Sequence, residues 1–159
     1  MTVIAWEWKW PGIDFRLSVS QSVADVLNQY RQKSQSSERG GQLFVDLSNP
    51  YGLIMSLATR PHPKDRAGCT WLELDEERCR QEIESANAGG LRLVGYWHTH
   101  PQTIPAISPT DISSFSRFAA RYAKELPQPI AVIVGLSPSP SGIKAWLFRG
   151  DSCQEATLG

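Results

Sequence analysis

The chain has 159 residues, of which 41% are hydrophobic and 20% charged. That length suits one compact domain with a real core, and the composition is globular rather than disordered. Lys+Arg and Asp+Glu each number 16, so no net positive charge argues for a nucleic acid or an anionic membrane as partner. The longest apolar runs, 53–58 and 129–136, are far shorter than the roughly 20 residues of a membrane span. Residues 1–10 lack the cationic start and apolar stretch of a secretion signal. Cys69, Cys79 and Cys153 are odd in number and show no C-x-x-C spacing. They read as three free thiols of a reducing cytoplasm, not as a disulfide framework or a cysteine zinc site.

Alternation over residues 3–10 puts Ile4, Trp6, Trp8 and Trp10 on one face of a half-buried strand. Pro11-Gly12 turns the chain, and 14–19 is expected to complete a hairpin. Ser20 is a good N-cap for a helix running to about Lys33, with Val23, Val26, Leu27 and Tyr30 as its apolar stripe. A polar linker at 34–37 precedes two strands, 42–47 and 53–58, around the turn Ser48-Asn49-Pro50-Tyr51-Gly52. Residues 60–68 read as a loop and 69–74 as a strand. Asp75 caps a helix to about Ala88, which Gly89-Gly90 ends. A buried strand at 91–97, a helix at 109–126 and strands at 130–136 and 143–148 follow. Residues 1–150 are expected to form a single domain and 151–159 a flexible tail. Interspersed strands and helices predict an α/β fold, with a mixed, mainly antiparallel sheet flanked by helices.

Two of the three histidines stand as His98-Thr99-His100 at the end of the strand predicted over 91–97. Side chains alternate along a strand, so both imidazoles point to the same side and can share one metal ion, while Thr99 points away. Ser108-Pro109-Thr110-Asp111 opens the next helix and puts Asp111 in its first turn, able to face back to the strand end. Three protein ligands, His98, His100 and Asp111, leave a fourth position for water, which is the mark of a catalytic zinc. Each piece has an ordinary reading too. Ser-Pro-x-Asp is a common helix start, a relative of the capping box, and an isolated H-x-H is often incidental. Their joint occurrence at fixed spacing favours the metal site.

His98-Thr99-His100-Pro101, the seven residues from Pro101 to Ile107, and Ser108-Pro109-Thr110-Asp111 together resemble the JAMM signature of the JAB/MPN (Mov34) zinc metallopeptidases. The signature's upstream acid resembles Glu38, in Glu38-Arg39-Gly40-Gly41-Gln42-Leu43-Phe44. Glu7, Glu73, Glu76, Glu77, Glu82 and Glu84 are the other candidate acids, and Glu7 is the best placed of them. The resemblance implies a cytidine-deaminase-like MPN/JAB fold and one Zn2+ on His98, His100 and Asp111. It also implies Glu38 as general acid/base and Ser108 as hydrogen-bond donor to the oxyanion. The expected reaction is hydrolysis of the amide after the C-terminal tail of a ubiquitin-like or conjugated protein. Residues 53–58 and the 60–68 loop are expected to wall the tail groove, and Trp97 to pack beneath the site.

The size and the extra N-terminal strand pair are similar to stand-alone bacterial JAMM isopeptidases of CBASS-type antiphage operons, which work beside a fused E1/E2-like ligase. A sulfur-carrier-processing peptidase and a non-catalytic MPN scaffold are the alternatives. A zinc deaminase is disfavoured because its H-x-E and P-C-x-x-C signature is missing.

Overall fold

A computed structural model describes residues 2–32, 36–49, 52–126, 129–150 and 152–159. The expected helix end at Lys33, the first half of the 34–37 linker and the Pro50-Tyr51 centre of the turn lie outside the described residues.

The N-terminal hairpin pairs β1 (Ile4–Lys9) with β2 (Arg16–Ser20). Trp8 and Trp10 are buried as the alternation requires. A register shift between Ile4 and Trp6 takes Ile4 out of phase, and it is 41% exposed. Helix α1 (Gln21–Gln29) starts where Ser20 Oγ accepts from Val23 N–H at 3.3 Å. It ends four residues before Lys33, so the helix is shorter than expected. Strands β3 (Gly40–Asp46) and β4 (Leu53–Ala58) form an antiparallel pair. A separate two-stranded hairpin follows, β5 (Arg66–Gly68) with β6 (Trp71–Glu73). The expected 60–68 loop therefore contains a strand at its end, and the expected 69–74 strand shrinks to three residues.

Helix α2 (Glu76–Ala88) is capped by Asp75 Oδ2 accepting from Arg78 N–H, and it stops where Gly90 takes the left-handed φ of 85°. Strand β7 (Leu91–Thr99) extends two residues past Trp97 and so includes His98. Helix α3 (Pro109–Arg121) stops five residues before Leu126. Strands β8 (Ile130–Val134) and β9 (Ile143–Arg149) complete the expected set.

The tail expectation is corrected by the last residues. Ser152–Glu155 forms β10 against β9, and Thr157–Leu158 forms β11 against β1. Only Ala156 separates them, and its N–H bonds Ala145 O. The C-terminal segment thus occupies both ends of a nine-stranded sheet, in the order β10-β9-β8-β7-β3-β4-β2-β1-β11. Trp10 Nε1 donates to Gln154 O and the Gln154 amide donates to Pro11 O, which fastens this seam. The sheet is mixed: among the described residues only β2–β4 and β7–β8 are parallel.

Two apolar layers flank the sheet. Val23 and Leu27 of α1 pack with Leu17, Leu43, Met55, Trp97 and Val132 on one face. On the other, Ile83 of α2 and Phe115 and Phe118 of α3 pack with Leu93, Tyr96, Ile133 and Phe148. All five residues of β8 are buried, as expected of a strand covered on both faces. Among the described residues no helix is long and apolar enough to cross a membrane.

Removing residues 152–159 should uncover both sheet ends at once. The expected result is a loss of several kcal/mol, at roughly 1 kcal/mol per ladder hydrogen bond, read as a lower urea midpoint. An unchanged midpoint would mean that the C-terminal seam contributes nothing.

Candidate metal centre

The β7–α3–β8 crossover joins two parallel neighbours. It brings the N-terminus of α3 back to the C-terminal end of β7, where open α/β sheets place their sites. His98 lies on the α3 face of β7, beside Tyr96, with ring centroids 5.7 Å apart. His100 follows on the same side, and its N–H bonds Val134 O at 2.9 Å.

Strand β3 runs antiparallel to β7 with Gly40 opposite His98. Continuing that register two residues sets Glu38 opposite His100. The ladder does continue: Thr99 N–H bonds Arg39 O at 2.9 Å, and Arg39 N–H bonds Thr99 Oγ1 at 3.0 Å. Gly40 is required there because a β-carbon would sit 2.0 Å from Trp97 O. Buried Gln32 braces the same segment. Its Oε1 accepts from Thr99 Oγ–H, and its amide donates to Ser36 O and Cys69 O. Arg78, 3% exposed, ties it from below through Gly40 O at 3.1 Å, Arg60 O at 2.8 Å and Asp65 Oδ2 at 2.9 Å.

Four buried side chains meet at this point. Glu38, His98, His100 and Asp111 are each at most 7% exposed. Glu38 Oε1 lies 3.0 Å from His98 Nδ1, and its Oε2 lies 3.7 Å from His100 Nε2. Asp111 Oδ1 is 3.6 Å from His98 Nε2, and both its oxygens are 3.2 Å from His100 Nε2. Donor atoms of Glu38, His98 and His100 also lie within 4.8 Å of one another. The histidine pair thus has a carboxylate on either side. Two imidazoles and two carboxylates, buried together, need a cation or protons between them. Borderline nitrogen and hard oxygen donors in this number fit zinc.

Asp111 has a second task. Its carboxylate accepts from Ser108 N–H at 2.8 Å, while Ser108 Oγ accepts from Asp111 N–H at 3.1 Å. This is a full capping box, so the ordinary reading of Ser-Pro-x-Asp holds alongside the site reading. Burial alone would raise the Asp111 pKa. The His100 hydrogen bond, the His98 charge and the Ser108 bonds outweigh it and hold the carboxyl at about 2. For His100, burial opposes protonation, but hydrogen bonds to Asp111 and Gln102 and the two carboxylates raise its pKa.

The cleft above the centre has Trp71, Leu72 and Glu73 of β6 on one wall and Thr110, Ser114 and Arg117 of α3 on the other. It continues between β6 and α3 as far as Tyr122. The rival acids fall elsewhere. Glu7 pairs with exposed Arg16, Glu82 with Arg78, Glu77 and Glu84 with Arg80, and Glu76 with Arg121. Glu73 is the exception, since it lies on the wall of the cleft that Glu38, His98 and Asp111 also line. His62 Nδ1 accepts from Lys64 N–H in the loop beyond Glu38. Trp97 is fully buried, with its Nε1–H on Thr59 O. The expected groove wall at 53–58 is corrected: β4 lies inside the sheet, between β2 and β3. Sequence reasoning missed buried Gln32 and Arg78 and exposed Gln102, since side chains that act through hydrogen bonds to distant segments leave no spacing signal.

Residues 20–149 match the family of prokaryotic homologs of the JAB domain. The chain belongs to the prokaryotic JAB family. A CD-NTase/cGAS isopeptidase of Pseudomonas aeruginosa (strain BWHPSA011 / Pa011) is 30% identical over 131 residues, covering 79% of this chain and 82% of the relative. A CD-NTase/cGAS isopeptidase of Enterobacter hormaechei subsp. hoffmannii (strain UCI 50) is 27% identical, covering 82% of this chain and 73% of the relative. The solution structure of protein DSY2949 from Desulfitobacterium hafniense superposes with a TM-score of 0.62 at 19% identity. It covers 87% of this chain and 88% of that one, which shows a shared fold. The JAB-family match leaves β1, most of β2, β10 and β11 outside it, so the C-terminal seam is built mainly from residues beyond the family core.

In the metal-free protein, stability should peak between about pH 4 and 6.5. Asp111 has a depressed folded pKa, so its contribution is present above the unfolded value of about 3.9 and lost as pH falls toward about 2. His100 has a raised folded pKa, so its contribution is full below about 6.5 and lost as pH rises through the folded value. Urea midpoints measured across pH with a chelator present should show both limbs. Asp111→Asn should flatten the acid limb and His100→Gln the alkaline one. Wild-type slopes in both variants would contradict these assignments.

Proposed function

We propose that the chain is a zinc-dependent isopeptidase that hydrolyses the amide bond after the C-terminal tail of a ubiquitin-like or conjugated protein. The working context would be a CBASS-type system with an E1/E2-like ligase. The observation that carries this reading is the convergence of His98 Nε2, His100 Nε2 and the Asp111 carboxylate, with the Glu38 carboxylate across from them. The isopeptidase names of the relatives support the substrate class. A scaffold has no need of these ligands, and this chain keeps all of them.

His98, His100 and Asp111 would hold the zinc. When bound there, zinc supplies a Lewis acid that makes water nucleophilic near neutral pH and polarises the scissile carbonyl. Glu38 Oε1 is occupied by His98, so Oε2 takes the proton from the attacking water and returns it to the leaving amine nitrogen. Ser108 Oγ already accepts from Asp111 N–H, which leaves its O–H free to donate to the oxyanion. That bond contributes roughly 3–4 kcal/mol in comparable sites. Burial of all four side chains keeps bulk water from competing for these protons.

The tail would bind along β6. Both ends of the large sheet are taken by β10 and β11, whereas among the described residues β6 pairs with β5 alone. Trp71, Leu72 and Glu73 of β6 line the cleft, where an extended tail would add a strand. An extended tail laid there ends at Glu38, His98 and Asp111.

The test substrate is a CD-NTase joined through its C-terminus to a lysine side chain or to a linear reporter. Zinc-loaded wild type should release it. Glu38→Gln should lose at least about 100-fold in turnover while retaining zinc, and His98→Ala should lose zinc and activity together. Chelators should stop the reaction, and serine- and cysteine-directed inhibitors should not, because no acyl-enzyme forms. Cleavage that survives complete zinc removal would overturn the mechanism.

A further inference from the structure

We propose that Gln102 is a positioning residue that fixes which nitrogen of His100 faces the metal. This rests on the zinc reading above.

The oxygen and nitrogen ends of the Gln102 amide are told apart by their neighbours. Ala106 N–H lies 3.1 Å from the Gln102 side-chain atom Oε1. A backbone N–H can only donate, so that atom must be the oxygen. The same oxygen lies 3.0 Å from His100 Nδ1. An amide oxygen only accepts, so Nδ1 must carry the hydrogen. In the neutral ring that can ligate a metal, His100 Nε2 is then the nitrogen with a lone pair to give, and it is the atom that faces both Asp111 oxygens and Glu38 Oε2. A buried ring with the opposite tautomer would set two acceptors against each other at Nδ1 and offer a proton where the cation belongs.

Gln102 is itself held in place. Its carbonyl accepts from Leu136 N–H at 2.7 Å, and Thr103 O accepts from Ser137 N–H at 3.0 Å. These bonds tie the start of the 101–107 loop to the β8–β9 turn. Gly135 permits the approach, since a β-carbon there would sit 2.6 Å from Gln102 O. The turn therefore sets the loop, the loop sets the amide, and the amide sets the imidazole. His98 is oriented differently, through Glu38 Oε1 at its Nδ1. One ring thus has a charged acceptor and the other a neutral one, which leaves Glu38 Oε2 uncommitted to either Nδ1.

Two variants and two readouts test this. Gln102→Leu keeps the bulk and removes the acceptor, and Gln102→Glu restores an acceptor oxygen. Zinc affinity is measured by competition with a chelator, and the protonated nitrogen of His100 by long-range 1H–15N correlation in the zinc-loaded protein. The wild type should show Nδ1–H with Nε2 on zinc. Gln102→Leu should bind zinc about 10–100-fold more weakly while its thermal midpoint stays near wild type, and Gln102→Glu should recover the affinity. A residue that merely braced the loop would lower the thermal midpoint and leave zinc affinity alone. Zinc on His100 Nδ1, or a Gln102→Leu affinity within twofold of wild type, would overturn the proposal. A wild type that binds no zinc would remove the metal reading itself, and this inference with it.

Discussion

The site depends on how closely β3 approaches β7 at Gly40. A β-carbon at that position would lie 2.0 Å from Trp97 O, and one at Gly41 would lie 2.0 Å from Thr59 O. Both contacts are with backbone, which cannot move aside without breaking the ladder. Two consecutive glycines let β3 lie tightly between β7 and β4, and the register that results sets Glu38 opposite His100. A one-residue slip would turn Glu38 to the other face of the sheet. Thr99, Gln32 and Arg78 secure the segment from three directions.

The electrostatics follow from that placement. Burying two carboxylates is costly unless each has a partner. Here the partners are the two imidazoles, the capping amide of Ser108 and, on the proposed reading, a zinc ion. Ser108 and Asp111 serve α3 as its capping box and serve the site as hydroxyl and carboxylate. One pair of residues therefore fixes the helix start and places the Asp111 carboxylate in the site.

The proposed ligands were legible in the sequence because their positions follow from local periodicity. Period two along β7 aligns His98 with His100, and Pro109 marks a helix start that fixes Asp111. Glu38 is legible only through a resemblance. Its place beside His98 comes from strand pairing across 60 residues, and no local pattern encodes that register. The same limit explains the other differences. Residues 152–159 are short and polar enough to read as a tail, yet they pair because both sheet ends offer unmatched backbone groups. Strand β4 reads as a plausible groove wall until β2 and β3 are seen on either side of it. Helices α1 and α3 end before the polar and aromatic residues that periodicity alone would carry onward. Gln102 lies in a spacer whose sequence gives no hint that it touches His100.

On the proposed reading, His98, His100 and Asp111 hold one zinc while Glu38 stays free to move a proton. Anomalous diffraction at the zinc edge, from crystals of the zinc-loaded protein, tests it most directly. One peak per chain is expected, about 2.0–2.2 Å from His98, His100 and Asp111, with neither Glu38 oxygen at bonding distance. A zinc ligated by Glu38 in place of Asp111, or by any of Cys69, Cys79 and Cys153, would contradict it.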